Sequence, residues 1–280
     1  MNAVPAEFVE RARALASGAL QPVPTKDAAT VVLLRDASGR AGVEAYLLRR
    51  VRSMAFAAGM HVFPGGSVDP RDADHGLRWT GPSPDVWGRV LDADPDLARS
   101  LVCAAVRETF EESGVLLAGP SDEAVVDDVS GADWERDRQA LLVRSVSFAE
   151  FLESRDLSIR SDLLGAWAHW ITPEVETRRY DTRFFVAEVP AGQRTRDVGG
   201  EADVAAWIHV SDALDRHQAG EFVMLPPTAF TLSELAAYDS VAAIRDAAAR
   251  RELRAILPKV VVDGDAVKFL LPGDPDYPDG

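Results

Sequence analysis

Apolar positions along the chain change period several times, and each change marks an element. The opening stretch "MNAVPAEFVERARALASG" has helical spacing and reads as an amphipathic helix. Two β-branched runs, "ATVVLLRD" and "VEAYLLRR", flank the turn "ASGRAG" and predict a hairpin. "MHVFPGG" follows as a short strand broken by Pro-Gly-Gly. The next segment, "SVDPRDADHGLRWTGPSPDVWGRVLDADPD", is rich in Asp, Pro and Gly and predicts an irregular surface excursion. Helical period returns from Leu97 to Ser113, with Gly114 placed for a left-handed stop. Beyond it, "SFAEFLESRD" predicts a Ser-capped helix, and "LLGAWAHWITP", "DTRFFVAEVP" and "ADVAAWIHV" predict strands. "SDALDRHQAG", "PTAFTLSELAAY" and "SVAAIRDAAARREL" predict helices before a polar, proline-rich tail. Strands and helices interleave without a regular βαβ alternation, which points to an α+β or sandwich arrangement.

Composition narrows the function classes. With 45 acids against 30 bases the formal charge is −15, which argues against a nucleic-acid partner. An anionic small substrate stays open, because a bound cation inverts the local field. The single cysteine, Cys103, excludes an internal disulfide and a zinc–thiolate site, and reads as a small buried hydrophobe. No apolar run reaches the length of a membrane span, and the start lacks a signal-peptide pattern. The expectation is a cytoplasmic protein with no membrane partner.

The chemistry concentrates in "CAAVRETFEESGV", residues 103–115. At roughly 100° per residue, Glu108, Glu111 and Glu112 share a sector of about 100°, opposite Val102, Cys103, Val106 and Phe110. Three like charges near a helix C-terminus repel one another and oppose the macrodipole. Either they form a solvated face or they converge on a cation, and an all-oxygen set suits Mg²⁺ or Mn²⁺.

"RETFEESGV" matches the second half of the Nudix box, R-E-U-x-E-E-x-G-U with U aliphatic, at its fixed Arg, Glu and Gly positions and at the last U, with Thr109 at the first, and "FPGG" at 63–66 resembles the strand and loop that open it. The chain resembles a Nudix hydrolase. It departs from the pattern in one respect: counted from Gly66, the box's upstream Glu falls on Asp72. Between Asp72 and Arg107 stand 34 residues where the box has seven. That departure leaves Asp72 outside the expected site. An interrupted box is similar to that of the peroxisomal-type coenzyme A diphosphatases and their bacterial relatives.

The resemblance implies a Nudix α/β/α sandwich with a mixed β-sheet, plus additional N- and C-terminal helices. It implies Glu108 and Glu112 as principal Mg²⁺ (or Mn²⁺) ligands, with Glu111 as a further ligand or acting through water. Arg107 would orient the glutamates, and Gly65 and Gly66 would let the backbone approach the site. Glu201 stands where several Nudix relatives place an extra acid, and reads equally as a general base or a solvated loop carboxylate. Arg178 and Arg179, in "TRRYDT", are candidates for a 3′-phosphate or pyrophosphate, or else a surface strand edge. Arg50 and Gly59 fit the coenzyme A subgroup's upstream motif, whose second arginine falls on Ala55. His61 and His169 read as strand residues, and Trp167, Trp170 and Trp207 as core. "WTGPSPDVW" reads as a lid or a homodimer contact. The expected organisation is an N-terminal helix and linker (1–26), a Nudix domain (27–238) with an insertion at about 72–96, and a C-terminal helix and tail (239–280) packed on that domain. The expected activity is Mg²⁺-dependent pyrophosphohydrolysis of coenzyme A or acyl-coenzyme A. Its alternatives are another nucleoside diphosphate derivative, such as a nucleotide sugar, ADP-ribose, NADH or a dinucleotide, and a non-catalytic Nudix-fold ligand sensor.

Overall fold

Val31, Val32, Leu33 and Leu34 are all fully buried, so the strand that carries them must be covered on both faces. The computed structural model describes residues 6–51, 58–196, 202–263 and 266–277. Glu201 and Ala55 lie outside the described residues. Along the chain come helix α1 (Ala6–Ala16), strands β1 (Thr25–Asp36) and β2 (Val43–Arg50), and the short strands β3 (His61–Val62) and β4 (Gly65–Ser67). A 3-10 turn (Pro70–Ala73), β5 (Trp79–Thr80), α2 (Pro84–Leu91) and the long helix α3 (Pro95–Ser113) follow. Next are β6 (Ala118–Gly119), α4 (Ala132–Leu142), α5 (Phe148–Ser154) and β7 (Ser158–Arg160). The second half holds β8 (Leu164–Ile171), β9 (Arg179–Glu188), β10 (Ala202–His209), α6 (Val210–Gln218), α7 (Pro226–Leu235) and α8 (Val241–Ala248). It closes with β11 (Ala255–Ile256), β12 (Lys259–Asp263) and β13 (Ala266–Leu270).

The main sheet runs β10-β2-β1-β9-β8-β11, with β3 added to β2 and β4 to β1. It is mixed: β1 runs parallel to β9 and β8 to β11, and the other pairs are antiparallel. Alternation along the strands divides the core. Ala29, Val31, Leu33 and Phe185 face a cluster that includes α3 and α5. Val32, Leu34, Leu47 and Phe184 face Val210, Leu232 and Ile244 of α6, α7 and α8. This is the expected α/β/α sandwich.

The excursion after β4 is more ordered than its composition predicts. Ser83 caps α2 through Val86 N–H, Pro84 sits in the first turn, and Asp92 ends the helix in the left-handed region. Trp87 is 4% exposed, with its ring edge-on to Phe185 at 5.8 Å, and Leu91 is fully buried. Each such side chain contributes roughly 1.5–3 kcal/mol by leaving water, so this part of the insertion belongs to the core. The helix α3 likewise starts earlier than expected, at Pro95, because Asp94 accepts from the N–H groups of Asp96 and Leu97. It is not simply amphipathic. Leu101 to Val106 are buried without a break, because α2 and the 3-10 turn pack on it in addition to the sheet. The C-terminal stretch is not only a polar tail: β11 extends the main sheet and β12 pairs with β13.

Candidate active site

Two local structures meet at the end of α3. The first is the bend at Phe63-Pro64, which turns the chain from β3 to β4 so that each pairs with a different strand. A Cβ at Gly65 would stand 2.5 Å from the Ala29 carbonyl oxygen, so only glycine allows β4 this close to β1. A Cβ at Gly66 would meet Glu108 Oε1 at 2.5 Å. The second is the last turn of α3. It stops at Gly114, whose φ of +72° suits glycine, and the Gly114 N–H bonds the Phe110 carbonyl.

The side chains form one network. The Gly65 N–H donates to Glu112 Oε2 at 2.8 Å. Arg107 Nη1 donates to Glu108 Oε1 at 2.7 Å and lies 3.3 Å from Glu111 Oε2. The other edge of the same guanidinium, Nε and Nη2, donates to the two oxygens of Asp72, both at 2.9 Å. Asp72 is 2% exposed and also accepts the Asp69 N–H at 2.8 Å. The residue that the interrupted spacing left out is therefore the one that holds Arg107. The clue was the box count itself, which reaches an acid at 72.

Negative charge is crowded here. Burial, with the neighbouring Glu108 charge next, pushes the Glu111 carboxyl up to about 7. Burial works against the Arg107 charge, but Asp72, Glu108 and Glu111 outweigh it and raise its pKa. Burial and the adjacent Asp72 push the Cys103 thiol up, so it is inert as a nucleophile. Among the described residues no three acidic side chains are already converged on one point. Glu108 leans on Arg107 and Glu112 on the Gly65 N–H. The donor set nevertheless fits a hard divalent cation. It is all oxygen, its crowded charge favours a cation, and Gly66 leaves space beside Glu108 that any side chain would fill.

Other candidates are not brought to this network. Arg179 is 9% exposed and donates to main chain, from Nε to the Thr172 carbonyl at 3.0 Å and from Nη1 to the Val23 carbonyl at 2.8 Å. It also pairs with Thr25, four residues along β1 from the partner of Gly66, or ~13 Å at strand rise. Arg179 acts as a strut that ties the Thr172 and Val23 carbonyls together. Its neighbour Arg178 is exposed. Arg50 ends β2, half-buried, its N–H donating to the Met60 carbonyl and its carbonyl accepting from the Gly59 N–H. His61 and His169 lie on strands, the latter bonded to Asp181 at 2.6 Å. Trp167 and Trp170 are core residues.

A mixed sheet between helical layers, with a Gly-Gly loop set against a glutamate-bearing helix end, is the architecture of a Nudix hydrolase. The family model described as the NUDT19 Nudix domain matches residues 91–235, just over half of the chain. The chain belongs to this NUDT19 Nudix family. It is 25% identical over 273 residues to the acyl-coenzyme A diphosphatase NUDT19 of Xenopus laevis, covering 84% of this chain and 72% of that protein. The Homo sapiens protein of the same name is 28% identical over 276 residues, with the same coverage. The crystal structure of a Nudix hydrolase from Alicyclobacillus acidocaldarius matches with a TM-score of 0.66 at 27% identity, covering 80% of this chain and 96% of that one. Nudix hydrolases work with divalent metal ions.

Proposed function

We propose that this protein is a Mg²⁺- or Mn²⁺-dependent pyrophosphohydrolase that cleaves coenzyme A or acyl-coenzyme A to 3′,5′-ADP and (acyl-)4′-phosphopantetheine. The observation that carries the catalytic part is the network in which Asp72, Arg107 and the three glutamates meet at the Gly65–Gly66 loop. Support for the substrate comes from the relatives, whose names state acyl-coenzyme A diphosphatase and over most of whose length this chain aligns. Glu108 and Glu112 are the proposed principal metal ligands, with Glu111 as a third or as the holder of a bound water. Glu108, Glu111 and Glu112 would hold a divalent ion, which would supply charge neutralisation for the diphosphate and a lowered pKa for an attacking water. Arg107, gripped flat by Asp72, keeps Glu108 and Glu111 side by side, and the Gly65 N–H fixes Glu112. Glu201 stays the candidate general base, and Arg50 and Arg178 the candidate contacts for the substrate's phosphates.

A panel of pyrophosphate substrates, assayed with Mg²⁺ or Mn²⁺ and with products identified by mass, tests both parts. Coenzyme A esters should give 3′,5′-ADP, and chelator or Glu112→Gln should remove most turnover while the protein stays folded. Faster turnover of ADP-ribose, NADH or a nucleotide sugar would overturn the substrate assignment alone. Near-normal activity of Glu112→Gln would overturn the site.

A further inference from the structure

The C-terminal end of α3 poses an electrostatic problem that the loop and Arg107 do not solve. Three glutamates sit where the helix dipole is already negative, and the last carbonyls of a helix lack intrahelical donors. The solution comes from α4, a helix outside the box. Its Arg138 is 1% exposed, one of the largest fully buried side chains in the protein. Arg138 Nη1 donates to the Glu111 main-chain carbonyl at 2.6 Å. Its other edge is held by Glu135, one turn earlier on α4, with Nε and Nη2 donating at 3.0 and 2.7 Å. Glu135 is braced in turn by Gln139 Nε2 at 3.0 Å and Arg196 Nη1 at 3.4 Å. The Arg196 N–H caps the Ser113 carbonyl at 2.9 Å. A guanidinium is suited to this: its fork binds a carboxylate on one edge and leaves a fixed donor for the carbonyl on the other.

We propose that Arg138 is a positioning residue for the metal-binding turn. It clamps the Glu111 carbonyl and so sets where the Glu111 and Glu112 carboxylates stand against Arg107 and Gly65. This rests on the proposed metal-binding role of Glu108 and Glu112. Glu111 presents its side chain to Arg107 and its carbonyl to Arg138, so a shift of one end moves the other. Groups that orient metal ligands without touching the ion typically govern affinity by about 10–100-fold.

The test measures Mn²⁺ binding to the full chain by loss of the free-ion electron paramagnetic resonance signal, alongside kcat, KM and thermal melting. Arg138→Met should weaken Mn²⁺ binding roughly a hundredfold. Arg138→Lys, which keeps the charge and one donor but loses the fork, should recover about tenfold of that. Glu135→Gln should fall between Arg138→Lys and the parent protein. Its side chain is 38% exposed, so it and Arg138→Lys carry the test where Arg138→Met does not fold. With metal at saturation, kcat should stay depressed and KM should be unchanged well below the melting temperature, which a purely structural role would not produce. Folded Arg138→Lys and Glu135→Gln proteins that bind Mn²⁺ within twofold of the parent overturn the inference. Glu112→Gln is the control. If it too leaves Mn²⁺ binding unchanged, the proposed metal site falls, and the inference with it. If it abolishes binding while the Arg138 and Glu135 variants do not, only the inference falls.

Discussion

Asp72→Asn is the sharpest perturbation of the network, because it keeps the side chain's shape and removes its charge. Asp72 accepts both Arg107 bonds at 2.9 Å and the Asp69 N–H at 2.8 Å, in a site 2% exposed. An asparagine there points an amide N–H₂ at one of these donors, whichever way it is turned. Breaking a buried ion pair costs about 3–5 kcal/mol when the remaining charge has no other partner. Arg107 keeps Glu108 and Glu111, so the expected loss is lower, about 2–3 kcal/mol, close to one charge-assisted hydrogen bond. The functional effect follows from the same geometry. A guanidinium freed from Asp72 can close on Glu108 and Glu111 and compete with the metal, weakening metal binding by about 10–100-fold. Urea unfolding in chelator measures the first effect and Mn²⁺ titration the second. Asp74→Asn, on an exposed side chain nearby, is the control and should stay within about 0.5 kcal/mol. An Asp72→Asn protein as stable as that control, with unchanged metal affinity, would refute the role given to Asp72.

Three other outcomes are expected. Glu111 has its folded pKa raised from 4.5 to about 7, so the folded state binds more protons than the unfolded one between those values. The metal-free protein should therefore lose stability as pH rises through that window, by on the order of 3 kcal/mol at most. Glu111→Gln should flatten that slope in chelator; an identical pH–stability curve would refute the shift. Trp87→Ala should cost about 3–5 kcal/mol in chemical denaturation, and excising residues 74–92 should unfold the chain, whereas a surface excursion would tolerate both. Arg179→Ala should lower the melting temperature without changing the ratio of coenzyme A to dephospho-coenzyme A turnover; a changed ratio would return it to the substrate site.

What the sequence made legible was whatever a short window carries. The glutamate spacing on α3, the Gly114 stop, the Ser147 cap and the three long strands after it all depend on neighbours a few residues away, and all are present. What it hid depends on distant partners. "PDVWGRVL" has only two strongly anchored positions, Trp87 and Leu91, and its burial against Phe185 is not written in its own Asp- and Gly-rich surroundings. "ADWERDRQALL" is rich in charged residues, yet Arg138 is buried because its partners, Glu135 and the Glu111 carbonyl, are polar. In "TRRYDT", two adjacent arginines look alike, but alternation sends Arg179 to the Thr172 and Val23 carbonyls while Arg178 is exposed.

The interrupted box works because the interruption begins and ends in locally determined structure. Asp69 accepts from Arg71 N–H while Asp72 accepts from Asp69 N–H, so a capping box closes a 3-10 turn right after β4. That turn fixes Asp72 before the chain departs, using only contacts within four residues. At the far end, α2 docks Trp87 and Leu91 into the core, and the short link through Asp94 starts α3 at Pro95. The added residues lie between two anchored points, so their number does not change the distance from Asp72 to Arg107. A spacing counted along the chain is a proxy for a separation in space, and here the proxy fails while the bidentate pair at 2.9 Å survives. The same reasoning implies that changes in length are tolerated at the exposed His75–Gly76 stretch, while the 3-10 turn, buried Leu77, β5 paired to β7 and the α2 anchors do not tolerate them.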